Sequence, residues 1–204
     1  LDFGLIGFAL SRYAGVWVGL KCVHDTVESS AVVEAGSDRI ATVTPRDHKL
    51  PPDGLHIRPS DDRVPQEERL HVHKMQAVLA FTRANGINRI VMQGGKAPKL
   101  GIVAPGKSYL DVRQALDDLG IDEMQASKLG IRLLKIGMVW PLEPSIIRDF
   151  ARGLDTILVV EEKRSLIEVQ VREELYGSAN QPVCVGKKDE QGNWLFPVKG
   201  ALDP

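Results

Sequence analysis

Leu100-Gly101-Ile102-Val103-Ala104-Pro105-Gly106-Lys107-Ser108 decides the fold, because it admits two readings. From Gly101 to Ser108 it satisfies G-x-x-x-x-G-K-[ST], the pattern of a loop that wraps its N–H groups around a nucleotide phosphate. Such a loop needs a strand before its first glycine. Here Lys96-Ala97-Pro98-Lys99 precede Gly101 as a loop, and the most strand-like residues, Ile102-Val103-Ala104, fall inside the motif. Only Pro105-Gly106 is left to turn, too little chain to encircle a triphosphate. The stretch therefore predicts strand, tight turn and helix. A nucleotide-binding module built on Gly101–Ser108 stands as the alternative. Gly106, Lys107 and Ser108 then open a helix whose free N–H groups can contact one phosphate or carboxylate. A side-chain cap from Lys107 or Ser108 accounts for them nearly as well.

Outward from this stretch the chain alternates strands and helices. Arg89–Met92, Leu100–Ala104, Leu133–Ile136, Thr156–Val160 and Val183–Val185 read as strands. Ser108–Leu119, Asp122–Leu129, Pro144–Arg152 and Ser165–Leu175 read as helices, the third opened by proline in its first turn. This rhythm predicts an α/β fold, a mostly parallel sheet with helices on both faces.

Before it, Leu70, Met75, Val78, Leu79 and Phe81 form an apolar helical stripe that stops at Asn85-Gly86. Pro45, Pro51, Pro52, Pro59 and Pro65 make 44–65 a surface crossing, since proline supplies no ladder donor and breaks helix interiors. Ala31-Val32-Val33 and Ile40-Ala41-Thr42-Val43 flank Ala35-Gly36-Ser37-Asp38 and predict a hairpin or strand pair. The first 23 residues read as a buried helix, not a membrane span, because Asp2, Arg12 and Lys21 interrupt them and no signal-peptide cleavage pattern follows. The expected organisation is a tail and linker over 1–64, an α/β domain over 65–187, and a linker over 188–204. Leu1 in place of Met and an end at Ala201-Leu202-Asp203-Pro204 suggest a piece of something longer.

Composition sets limits on function. A net charge of -1 gives no reason to expect nucleic acid or an anionic membrane as partner. Cys22 and Cys184 stand alone and far apart, so thiolates cannot build a zinc site or an iron–sulfur cluster here. His71 and His73 lie two apart on a helix and point to different faces; His24, His48 and His56 sit in or near loops without a paired carboxylate. None is assigned a role. Glu161, Glu162, Lys163 and Arg164 follow an apolar strand, where open α/β sheets present ligand or partner contacts, and Trp140 sits on a stiff Trp-Pro turn as a possible interface anchor. A solvated cap and ordinary core packing are the plainer readings of these two segments.

Several blocks, taken in order, resemble one family. Lys99-Leu100-Gly101-Ile102-Val103-Ala104-Pro105-Gly106-Lys107-Ser108-Tyr109-Leu110-Asp111-Val112 is similar to the indolepyruvate ferredoxin oxidoreductases, thiamine diphosphate-dependent 2-oxoacid:ferredoxin oxidoreductases. So are Ala9–Gly19, Lys21-Cys22-Val23 and Asp25–Ser30, which resemble the end of that family's pyrimidine-binding domain, and Met138–Pro144, Val159–Arg164 and Gly186–Glu190. The resemblance implies that 65–187 is a transketolase C-terminal-like domain within a larger enzyme. It implies a parent that oxidatively decarboxylates 2-oxo acids to acyl-CoA with thiamine diphosphate, magnesium, iron–sulfur clusters and coenzyme A. Electrons would pass to ferredoxin. The parent is expected to be cytoplasmic and homodimeric. This chain lacks the magnesium signature Gly-Asp-Gly, so it is expected to bind no cofactor and to be inactive alone, its partners being the other domains. Coenzyme A phosphate is then one candidate ligand for Gly106, Lys107 and Ser108. An interface or dimerisation scaffold is the third reading.

Overall fold

A computed structural model describes residues 2–36, 38–179 and 181–204. The chain divides into two compact units, Leu1–Gly86 and Ile87–Pro204.

In the first unit, α1 (Asp2–Ala14) buries Gly7, Leu10 and Ala14. It stops at Gly15, whose φ of +65° and close approach to the Leu55 carbonyl leave no room for a side chain. The helix expected to reach Val23 is therefore shorter, and Phe8 and Trp17 are exposed. A single turn, α2 (His24–Val27), follows. The strand pair expected over 31–43 does not form among the described residues, and Ser37 of its turn lies outside them. The Val43 N–H donates to Asn85 Oδ1 and the Val43 carbonyl accepts from Asn85 Nδ2, so a side chain takes the bonds that a partner strand would have taken. A long helical segment runs through α3 (Arg63–Glu68), a π-helical stretch Arg69–Lys74 and α4 (Met75–Ala84). Arg69 donates to the Gly54 carbonyl and to Asp53, and Lys74 donates to the Gly15 carbonyl, which ties the proline-rich crossing and the end of α1 to this helix. The compact units thus part after α4, not within 44–65 where proline content placed the boundary.

The second unit is the α/β fold expected. Its sheet has the order β1-β3-β2-β4-β5, with β1 (Arg89–Gln93), β2 (Leu100–Pro105), β3 (Ile131–Ile136), β4 (Thr156–Val159) and β5 (Val183–Val185). β1 is antiparallel to β3, with an irregularity between Ile90 and Met92; every other pairing is parallel. Alternation sorts the strands onto two faces. Val103, Leu134, Ile136, Ile157 and Val159 pack with α7 (Pro144–Ala151) and α8 (Ile167–Leu175) around fully buried Phe150. Ile102, Ala104, Ile131, Leu133 and Val160 pack on the other face with α5 (Gly106–Asp118) and α6 (Glu123–Leu129). Strands covered on both sides are apolar at most positions, which is why β2 and β4 read as nearly continuous runs, while β3 admits half-buried Arg132 and Lys135.

Gly101 lets α7 and the chain after it lie close on the sheet: a Cβ there would collide with Leu154 Cδ1 and fall 2.7 Å from Phe150 Cζ. The first glycine of the phosphate-loop pattern is thus a packing glycine within a strand.

The segment 188–204, expected as a linker, folds back onto this unit. The Leu202 side chain joins the buried cluster of the α5/α6 face, and the Leu195 N–H donates to the Lys187 carbonyl at 2.9 Å. A buried leucine and backbone pairing hold it where composition alone reads as solvated chain.

Candidate functional site

Helices reach β3 from β2 across one face and β4 and β5 across the other, so the connections leave the adjacent strands β2 and β4 in opposite directions. The carboxyl ends of two such strands diverge into the crevice where open α/β sheets place their ligands. Gly106–Ser108 follow β2 at this point and Val160–Arg164 follow β4. The sequence reading of both segments therefore brings them together.

Their side chains are turned to different uses than expected. Gly106 begins α5 with φ +48°, and no side-chain hydrogen bond caps that helix, so neither Lys107 nor Ser108 serves as its cap. Ser108 is buried. Lys107 Nζ donates to both carboxylate oxygens of Asp111, at 3.0 Å each, and to the Leu202 carbonyl at 2.7 Å. A carboxylate and a tail carbonyl thus hold the ammonium that a nucleotide-binding module would place on a phosphate.

Glu161, read as a surface contact, is 4% exposed. Its Oε2 accepts the N–H groups of Leu166 and Ile167 at 2.9 Å and its Oε1 that of Glu168 at 3.0 Å, closing the N-terminus of α8. Free N–H groups and the positive end of the helix dipole draw the carboxylate inward. Glu143, 2% exposed, opens α7 similarly, accepting from Ser145 N–H at 3.1 Å and Ile146 N–H at 2.9 Å. Glu162 is half-buried and accepts the Leu202 N–H at 3.3 Å. Lys163 and Arg164 are exposed, and Lys163 Nζ donates to the Gly200 carbonyl.

Lys187, two residues beyond the end of β5, carries much of this end of the sheet and was not singled out from the sequence. It is 6% exposed; its ammonium donates to the Glu161 carbonyl and, at 3.3 Å, to the Pro197 carbonyl. Its own N–H donates to Glu168 Oε2 at 3.0 Å. Burial lowers the pKa of Lys187, against the opposing pull of Glu161 and Glu168. Burial tends to raise that of Glu168, but the Lys187 N–H, Ser165 hydroxyl and Arg172 guanidinium outweigh it and the carboxyl ends lower than usual. The available signal was a charged residue one glycine beyond a short apolar strand.

Trp140 is 62% exposed, as an anchor for another surface must be. Its turn is held from α8: Gln170 Oε1 accepts the Leu142 N–H at 2.9 Å and Gln170 Nε2 donates to the Val139 carbonyl at 3.0 Å. On the far side Asn88 Oδ1 accepts the N–H groups of Gly137 and Met138 at 2.9 Å.

Among the described residues no three His, Cys, Asp or Glu side chains come together as metal ligands, and Cys22 and Cys184 fall in different units. Among the described residues, no set of side chains fits a three-ligand magnesium site or an iron–sulfur cluster. No helix of the described residues is long and apolar enough to cross a membrane.

Comparison with known proteins gives the family. Indolepyruvate oxidoreductase subunit IorA from Methanothermobacter marburgensis is 30% identical over 171 residues, 84% of this chain and 26% of that protein. The subunit of the same name from Pyrococcus horikoshii is 37% identical over 81 residues, 40% of this chain and 11% of its own length. The chain thus spans about a quarter or less of these relatives. Among solved structures, a 2-oxoglutarate:ferredoxin oxidoreductase from Magnetococcus marinus aligns with a TM-score of 0.46 at 17% identity, over 63% of this chain and 21% of that one. A split-gene transketolase aligns with a TM-score of 0.37 at 17% identity, over 50% of this chain and 32% of that one. The model of the indolepyruvate oxidoreductase domain matches residues 90–204, nearly all of the second unit. With more than half of its length so matched, the chain belongs to the indolepyruvate oxidoreductase domain family.

Proposed function

We propose that this chain is a non-catalytic, transketolase C-terminal-like part of a 2-oxoacid:ferredoxin oxidoreductase, following the tail of a pyrimidine-binding domain and serving to assemble and position the rest of the enzyme. The parent would oxidatively decarboxylate a 2-oxo acid, indolepyruvate on the strength of its relatives, to acyl-CoA in the cytoplasm. Thiamine diphosphate with magnesium would hold the acyl carbanion, and iron–sulfur clusters would carry electrons to ferredoxin. These groups belong, in this reading, to other parts of a homodimeric parent. The observation that carries it is the inward use of charge at the carboxyl edge: Lys107, Glu161 and Lys187 all hold the unit's own backbone. Side chains committed in this way organise a domain and are not left to work on substrate. Trp140 and Arg164, exposed around the same edge, are the residues offered to neighbouring domains, while Lys163 holds the Gly200 carbonyl.

Calorimetric titration of the 204-residue chain with thiamine diphosphate and magnesium, and separately with coenzyme A, tests this. No saturable heat is expected. Saturable micromolar binding of thiamine diphosphate would overturn the non-catalytic assignment, and binding of coenzyme A lost in Lys107→Ala would assign Gly106–Ser108 to that ligand instead.

A further inference from the structure

Three ammonium groups, each just beyond the carboxyl end of a different parallel strand, share one target. Lys107 after β2 takes the Leu202 carbonyl, Lys163 after β4 takes the Gly200 carbonyl, and Lys187 after β5 takes the Pro197 carbonyl. Glu162 holds the same segment from the other polarity by accepting the Leu202 N–H, and the Leu202 side chain is buried. The segment so gripped crosses the point where β2 and β4 diverge, the ligand crevice of this sheet class.

We propose that 197–202 is a lysine-latched strap that occupies the switch-point crevice of this domain and must be released before anything else can enter it. The features point to a latch and not to core. The holds are single polar contacts, three ammonium groups on backbone carbonyls and one carboxylate on a backbone N–H, directional and separable, and only Leu202 contributes buried apolar surface from this stretch. Segments with few buried apolar contacts open locally without global unfolding, and this one contains exposed Lys199, a tryptic site. The latch also explains the placement of Lys163, whose φ of +57° is uncommon outside glycine and sets it at the turn beside Gly200.

The test is hydrogen exchange and limited trypsin digestion of the 204-residue chain and of Lys107→Met with Lys163→Met. Loss of charge-assisted holds should speed both cleavage after Lys199 and exchange of the Leu202 amide, which the Glu162 carboxylate accepts, by about tenfold or more, with β2 and β4 amides as protected as in the wild type. The paired arginine variant Lys107→Arg with Lys163→Arg should restore most of the protection. Unchanged cleavage and exchange would overturn the proposal. So would a loss of protection shared by Val103 and Val159, because the segment would then be part of the core and not a separable strap. The single variant Lys163→Met, altered only at the surface, keeps the experiment decisive if the double variant does not fold. Failure of this test leaves the calorimetric test of cofactor binding untouched.

Discussion

The ammonium of Lys187 donates to the main-chain carbonyl of Glu161, and both residues are buried. The strand ends of β4 and β5 are thereby joined by a cation placed on a carbonyl, while the Glu161 carboxylate faces the other way to cap α8. Removing either group strands partners that cannot reach water.

Glu161→Ala should destabilise the second unit by about 1–3 kcal/mol, since it leaves the N–H groups of Leu166, Ile167 and Glu168 without their acceptor. Glu161→Gln, which keeps an acceptor oxygen, should cost less. Urea denaturation monitored by far-ultraviolet circular dichroism ranks the two; equal loss would show that the cap depends on charge alone.

Glu168→Gln separates charge from shape. The folded-state pKa of Glu168 lies below its ordinary value of 4.5, so its ionised form stabilises the fold above that pH and the benefit is lost as pH falls through the folded value. The stability margin of the wild type over this variant should be full at pH 6 to 7 and shrink below about pH 4.5. A margin that stays constant down to pH 3 would remove the carboxylate from the account.

Gly101→Val should cost about 1–3 kcal/mol through overpacking, because the added carbons meet Phe150 and Leu154. Combining it with Phe150→Leu should recover part of the loss. Two penalties that simply add would show that the glycine is required for something other than this contact.

Thiol titration should distinguish the cysteines. Cys22 is exposed, whereas burial pushes the Cys184 thiol up to about 11. A disulfide reagent at pH 8 should modify Cys22 rapidly in the native chain and Cys184 only after denaturant is added. Rapid native reaction at both would mean that β5 opens readily.

The sheet was legible in the sequence because strands buried on both faces leave unbroken apolar runs such as Thr156–Val160, and helix signals such as Pro144 and Asp122 act locally. The first unit was less legible. Val32 and Val43 have the side chains of strand residues, but nothing in their own segment reveals that Asn85 takes the backbone bonds of Val43. The carboxyl-edge residues were found by position and misread in direction: charge after a strand predicts exposure, and only the tertiary placement of α8 shows why Glu161 turns inward. Lys187 and Leu202 were missed because their partners lie on segments joined by the fold, not by spacing.

The two lateral strands of the sheet carry a further consequence. β5 is a strand of three residues, and β1 is interrupted between Ile90 and Met92. An unpaired margin invites another chain to add itself when it is long and flat, and these margins are short or kinked. Growth of the sheet from molecule to molecule is thereby discouraged, which steers association of this domain toward its helices and loops and away from amyloid-like pairing at high concentration.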